Sequence, residues 1–140
     1  MNIKIKLLHH HSKAPRYAKP GDAGMDCFAS SSAVLEWRGT VTVPLGFAVE
    51  IPDGYELQLR PRSGLARDAN VVCVFGTVDS GYRGEVCAIL LNHSDTKHHV
   101  FIGDRVCQAV LAPVVRAELE EVDELAPSER GESGFGSTGR

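Results

Sequence analysis

Nowhere in these 140 residues does an apolar run approach the ~20 needed to cross a bilayer as a helix. The first residues, Met1-Asn2-Ile3-Lys4-Ile5-Lys6, alternate apolar and polar instead of forming a signal-peptide core. A membrane partner is excluded on that basis, and a cytoplasmic, intracellular protein is expected. An excess of one charge is lacking too: 15 Lys and Arg stand against 18 Asp and Glu, for a formal net charge of -3. That excludes a general attraction to nucleic acid, so any phosphate must be met locally by particular residues. The cysteines, Cys27, Cys73, Cys87 and Cys107, have no C-x-x-C spacing and lie in or beside apolar runs. They read as buried free thiols rather than bridges or zinc ligands. Helical patterning is almost absent, since only Arg62 to Ala69 has a helix-compatible composition. The length is that of one domain, sufficient to bury a core without cross-links.

What is present is strand. Asn2 to Leu7 alternates as a half-buried strand does, Val41 to Ile51 continues a β pattern, and Tyr55 to Arg60 keeps strict period-two alternation up to Pro61. Val71 to Phe75 and Val86 to Leu91 are β-branched and apolar, as buried strands are. Val106 to Val115 reads as another, with one polar residue, Gln108, that needs either a structural partner or a ligand. Ala117 to Val122 alternates once more. His9-His10-His11 invites a metal reading, but consecutive residues of an extended chain face opposite sides. They cannot converge on one ion unless the backbone bends sharply, and a solvated strand end is expected. The domain is taken as residues 1–123, with 124–140 as a flexible C-terminal segment.

Three stretches carry chemistry. In Gly76-Thr77-Val78-Asp79-Ser80-Gly81-Tyr82-Arg83-Gly84 a carboxylate and a phenol stand three residues apart, between glycines and two apolar runs. This is either a polar hairpin or a functional turn on a rigid mount. Pro61-Arg62-Ser63-Gly64 opens the one helix with Ser63 as the expected N-cap. It offers phosphate a hydroxyl, a guanidinium and backbone donors, or is an ordinary cap beside a solvated Arg. The tail from Arg130 places Phe135 between glycines, ahead of Gly136-Ser137-Thr138-Gly139. That composition reads as disorder, or as an arm whose amides wrap phosphate while Phe135 covers an aromatic ring.

Taken in order, Ala23-Gly24-Met25-Asp26, Pro61-Arg62-Ser63-Gly64-Leu65-Ala66, Gly76 to Gly84, Gly103-Asp104-Arg105-Val106-Cys107-Gln108 and Arg130 to Gly139 form a set. In content and spacing they resemble the five motifs of the trimeric deoxyuridine triphosphate nucleotidohydrolases, the dUTPases. The resemblance implies an all-β, jelly-roll-like barrel with one short helix, assembled as a homotrimer whose sites draw on several chains. It implies hydrolysis of dUTP to dUMP and pyrophosphate, which lowers dUTP and supplies dUMP for thymidylate synthesis. On that reading Asp79 is the base that activates water for attack at the α-phosphorus. Arg62, Ser63, Gly64 and Gln108 bind phosphates, and Arg130, Gly136, Ser137 and Thr138 reach them as the arm closes. Phe135 stacks on uracil, Tyr82 lies under deoxyribose and excludes a 2′-hydroxyl, and backbone from Cys73 to Gly76 reads the uracil edge. Mg2+ is the implied cofactor, held mainly by the phosphates and touching Asp26 through water. Gly81 departs from the family pattern, standing where an acidic residue is usual.

Two other readings compete. A dCTP deaminase shares the fold but uses a different Ser-Arg-Glu arrangement, and release of ammonia rather than pyrophosphate would identify it. A catalytically silent trimeric binding module is the other, and turnover of dUTP would exclude it.

Overall fold

The computed structural model describes residues 1–132. The alternating Tyr55–Arg60 segment is strand β6, with Leu57 and Leu59 buried, and it lies inside a four-stranded antiparallel sheet. On one side it pairs with β11 (Arg105–Pro113), where Gln108 faces Arg60; on the other it pairs with β8 (Gly76–Val78), where Val78 faces Leu57. β2 (Met25–Phe28) completes the sheet against β11, with Asp26 opposite Gln108. A second sheet runs β4 (Thr40–Pro44), β9 (Cys87–Asn92), β7 (Val71–Cys73). Two short ribbons join β1 (Lys4–Leu7) to β5 (Phe47–Glu50) and β3 (Ala33–Leu35) to β10 (His98–Val100). One core unites the inner faces of both sheets: Leu57, Leu59, Val78, Cys107 and Ala109 meet Val43, Val71, Cys73, Ala88 and Leu90. Each fully buried Leu or Val contributes roughly 1.5–3 kcal/mol, so this contact between the sheets is what holds the barrel together. The expected all-β, jelly-roll-like architecture with one short helix is what forms. No described helix is long and apolar enough to cross a membrane.

Helix α1 (Ser63–Ala69) has no buried residue, and seven residues are too few to be stable alone. It is held at its ends. Asn70 adopts the left-handed conformation at φ 52° and donates its N–H to the Leu65 carbonyl. At the start, the N-cap is Arg62, extended at φ -97° and ψ 124°, and not Ser63 as expected; no side chain caps the helix. The reason is a tether: Arg62 is tied to Asp26 and to the Arg105 carbonyl, which keeps it extended and makes Ser63 the first helical residue.

Other expectations shift as well. β1 is exposed along its whole length rather than half-buried, because it pairs only with β5 at the margin of the barrel. Ala117 to Val122 forms no strand; Leu119 is 95% exposed, and the alternation finds no partner among the described residues. The histidine run does bend sharply, with Ser12 N–H donating to the His9 carbonyl at 3.1 Å. The cysteines are free, and Cys27, Cys73 and Cys107 are buried, as expected. Hydrogen bonds to the Cys27 and Cys73 thiols, with burial behind them, push the Cys107 thiol far above its ordinary range.

Gly46, between β4 and β5, ties three segments together. Its carbonyl accepts from Leu8 N–H at 2.9 Å and its N–H donates to Glu85 Oε1 at 3.0 Å. At φ 74° it is left-handed, and a Cβ there would overlap the Ser12 hydroxyl and come within 2.7 Å of Ser30 Cβ. Gly54 shares the left-handed φ, at 80°, but faces open space. Gly46→Ala should therefore lower stability by about 2–4 kcal/mol and Gly54→Ala by only about 1–2 kcal/mol. Urea unfolding of both variants checks this, and equal losses would contradict the close packing at Gly46.

Candidate active site

The Asp79 turn leaves the β8 edge of the four-stranded sheet on a rigid mount. Val78 is paired into β8, and the turn Asp79-Ser80-Gly81-Tyr82 closes with Tyr82 N–H donating to the Asp79 carbonyl at 3.1 Å. Ser80 donates its hydroxyl to Asp53 Oδ1 at 3.2 Å, and Arg83 Nη1 donates to the Ser80 and Tyr82 carbonyls at 2.6 and 2.9 Å. On the exit side Val86 N–H donates to the Phe47 carbonyl at 2.9 Å, and Leu45 N–H to the Val86 carbonyl at 3.0 Å. The turn is thus fixed at both ends while its tip remains in solvent.

Asp79 and Tyr82 line one open cleft of about 320 Å³ together with Gly76, Thr77, Glu85, Cys87 and Ile89. The Asp79 carboxylate is exposed and accepts no hydrogen bond among the described residues, so its lone pairs are available to water or a ligand hydroxyl. Tyr82 is 45% exposed, yet its ring is fixed: the hydroxyl donates to the Glu85 carbonyl at 2.9 Å and the ring folds over Gly84. A Cβ at Gly84 would overlap that hydroxyl and come within 2.6 Å of Cζ. An exposed, immobilised ring is a platform against which a sugar can pack. Cys73 turns its thiol inward, onto the Val74 carbonyl at 3.2 Å, so any ligand contact there falls to its backbone. Burial, and then the Glu85 carboxylate, push the Cys87 thiol up, leaving the cleft wall uncharged at that point.

A second cluster gathers around Asp26, which is 6% exposed. Arg62 Nε donates to its Oδ1 at 3.1 Å and Arg105 Nη1 to its Oδ2 at 3.2 Å, while Arg62 Nη1 reaches the Arg105 carbonyl at 3.1 Å. Two guanidinium groups on one carboxylate leave a net positive charge, and Arg62 has used only two of its five N–H groups. Ser63 is exposed, a Cβ at Gly64 would meet nothing within 4 Å, and Gln108 lies over Gly24, 3.1 Å from where a Cβ would stand. The Gln108 amide makes no hydrogen bond among the described residues, so of the two readings, a structural partner or a ligand, the second is the one its surroundings leave open. No three His, Cys, Asp or Glu side chains are gathered for a metal among those residues. Asp26 stands as a single carboxylate.

The chain does not join the two clusters. Asp79 follows Val78, the partner of Leu57, and so lies beside Glu56; Arg62 is six residues further along the same strand direction. At about 3.3 Å per residue their backbones are roughly 20 Å apart. Arg130 is exposed within the described residues, while Phe135, Gly136, Ser137 and Thr138 lie outside them. Sequence reading missed Arg105 as a partner of Asp26, and Cys87 and Ile89 as cleft walls. β9 is apolar on both faces, so no alternation marks which of its residues reach the cleft.

A family model described as dUTPase matches residues 10–139. The deoxyuridine 5'-triphosphate nucleotidohydrolase of Helicobacter hepaticus is 48% identical over 141 residues, covering 99% of this chain and 89% of that protein. That of Alkaliphilus metalliredigens is 44% identical over 140 residues, covering 99% and 97%. Among solved structures, a Staphylococcus bacteriophage 80alpha dUTPase with dUPNHPP superposes with a TM-score of 0.94 at 29% identity, covering 99% of each chain.

The two glycines flanking Tyr82 make contrasting demands. Gly84→Ala should displace the ring and lower stability by about 1–3 kcal/mol. Gly81→Ala, where a Cβ would meet nothing within 4 Å, should change it by less than about 0.5 kcal/mol. Denaturant midpoints of the two variants decide the point.

Proposed function

This chain belongs to the dUTPase family, it hydrolyses dUTP to dUMP and pyrophosphate, and we propose that it does so at a site shared between the subunits of a homotrimer. The observation that carries the shared site is the separation within one chain. The hairpin carboxylate without a partner among the described residues and the guanidinium best suited to phosphate stand roughly 20 Å apart. A water attacking a phosphorus must be held by the first while the phosphate is held by the second. That separation disfavours one chain placing both around a single triphosphate, and a neighbouring subunit can supply the missing half.

In that site Asp79 accepts the proton of the water that attacks the α-phosphorus in line, and it also touches the sugar 3′-hydroxyl. What this role requires of the carboxylate is placement against the attacking water. Arg62, with the N–H groups that Asp26 and Arg105 leave over, the Ser63 hydroxyl, the Gly64 N–H and the Gln108 amide bind the phosphates. Charge there is neutralised by preorganised donors. Tyr82, locked over Gly84, packs under deoxyribose and leaves no room for a 2′-hydroxyl. Backbone from Cys73 to Gly76 reads the uracil edge. Arg130, Gly136, Ser137 and Thr138 reach the phosphates as the arm closes, and Phe135 covers the base.

Mg2+ fits the residues present. Asp26 is already engaged by two guanidinium groups, which suits a carboxylate that touches a hydrated ion through water rather than one wall of a protein cage. When bound, the ion would supply further charge neutralisation for the phosphates. Free thiols, three of them buried, support a reducing, cytoplasmic setting.

Asp79→Asn should keep nucleotide binding and lose about 10²–10⁴-fold in kcat, because the amide preserves shape but cannot take a proton. Single-turnover rates with a parallel binding isotherm test this, and near-normal turnover refutes the assignment. The shared site has its own test. Asp79→Asn and a truncation after Ser128 are each inactive, and they are mixed one to one under conditions of subunit exchange confirmed by mass. If the base and the arm come from different chains of a cyclic trimer, activity should return to about a quarter of wild type. No recovery means that both come from one chain.

A further inference from the structure

The histidine run is absorbed neither by the barrel nor by the reaction. β1 stops at Leu7, and the chain turns at residues 9–12. The bend gathers the rings that an extended chain would have separated: His9 and His11 stack with centroids 5.7 Å apart, and His10 stands edge-on to His11 at 4.7 Å. His11 Nε2 lies 2.7 Å from the Ser30 carbonyl oxygen. A carbonyl only accepts, so Nε2 carries the proton and the Nδ1 of the neutral ring keeps its lone pair. That Nδ1 is 3.5 Å from His10 Nε2.

Two imidazole nitrogens bound tetrahedrally at 2.0–2.1 Å to one ion stand about 3.4 Å apart, which is close to the gap found here. A ring held from behind by a backbone carbonyl is also the arrangement that orients metal-bound histidines. We propose that His10 Nε2 and His11 Nδ1 form a binding site for a borderline divalent transition ion, Zn2+, Ni2+ or Cu2+, with water completing the coordination. The hard, oxygen-seeking Mg2+ used in catalysis does not compete for such a pair. His9 is not a ligand: its Nε2 is turned toward Glu85 Oε1, 3.8 Å away. With no third side chain gathered around the point among the described residues, the site is open and easily reached, His10 being exposed and His11 partly so. Occupancy would clamp the end of the β1 segment to the loop that carries Ser30. The site is separate from the phosphate-bound Mg2+ and independent of how the active site is shared.

The full chain, carrying no affinity tag, is titrated with Zn2+ in a large excess of Mg2+, against a chromophoric zinc chelator. One ion per chain is expected, and His10→Ala and His11→Ala should each weaken binding more than about tenfold. His9→Ala and His99→Ala should leave it within about twofold. Cu2+ loaded at one equivalent should show two coupled nitrogens by electron paramagnetic resonance, a signature that does not depend on how the variants fold. No retention of Zn2+ against the chelator overturns the site. So does binding that survives His10→Ala, or a single-nitrogen signature, which would leave the two rings sharing only a proton.

Discussion

A carboxylate out of water sets the terms for one half of this molecule. Asp26 is almost fully buried on β2, and an unpaired charge there would cost several kcal/mol. Two guanidinium groups offset that cost, and each comes from a different element: Arg62 from the entrance to α1 and Arg105 from the start of β11. Because Asp26 requires both, it fixes where a short helix with no buried residue begins and where β11 starts, beside the register shift between Arg105 and Cys107. The extended Arg62 then makes Ser63 a helical residue with a hydroxyl that caps nothing. The phosphate-facing groups are thus laid out by the demand of a buried charge, and their unused N–H groups are what remains for a ligand.

The other half inverts this logic. Asp79 sits at the tip of a turn braced by Ser80 on Asp53 and by Arg83 on two carbonyls, yet its own carboxylate engages nothing among the described residues. A carboxylate tied up in ion pairs, like Asp26, makes a poor base, because its lone pairs are spent. A free one on a rigid mount has what proton abstraction needs. Tyr82 follows the same division between frame and face: its hydroxyl is consumed by the Glu85 carbonyl, so the ring can only exclude, not donate. Under the proposed role, discrimination against a sugar hydroxyl by such a ring would rest on shape alone.

Much of this was legible in the sequence where period or chemistry was unambiguous. Tyr55–Arg60 alternates and is a strand, and Asp79 and Tyr82 share a cleft as their spacing and glycines implied. The five motifs pointed to the family before any coordinates. What failed depended on partners far along the chain. Ser63 had the right chemistry for a cap, but the tether from Arg62 to Asp26, 36 residues away, moved the cap by one. Nothing local marks Arg105 as the partner of Asp26, which β2 brings to it from 79 residues away. The histidines were assigned to a strand end because nothing local announces the turn at Ser12. Cys87 and Ile89 were hidden in a run that is apolar on every face.

The segment beyond β11 bears on the proposed assembly. Val115 and Leu119 are 94% and 95% exposed, in a stretch where apolar and charged residues alternate from Val115 to Glu120. Each such side chain forfeits roughly 1.5–3 kcal/mol that burial would return, and the alternation has the period of a strand with one dry face. Nothing among the described residues of its own chain supplies that face. An exposed apolar segment of this kind is what the proposed assembly would cover. The proposed roles of Asp79 as base and Arg62 as phosphate ligand pose the same question, since the two stand far apart on one chain. Three incomplete features at different places on one chain have a common resolution in an assembly of several copies, which supports the shared site more strongly than any one of them would.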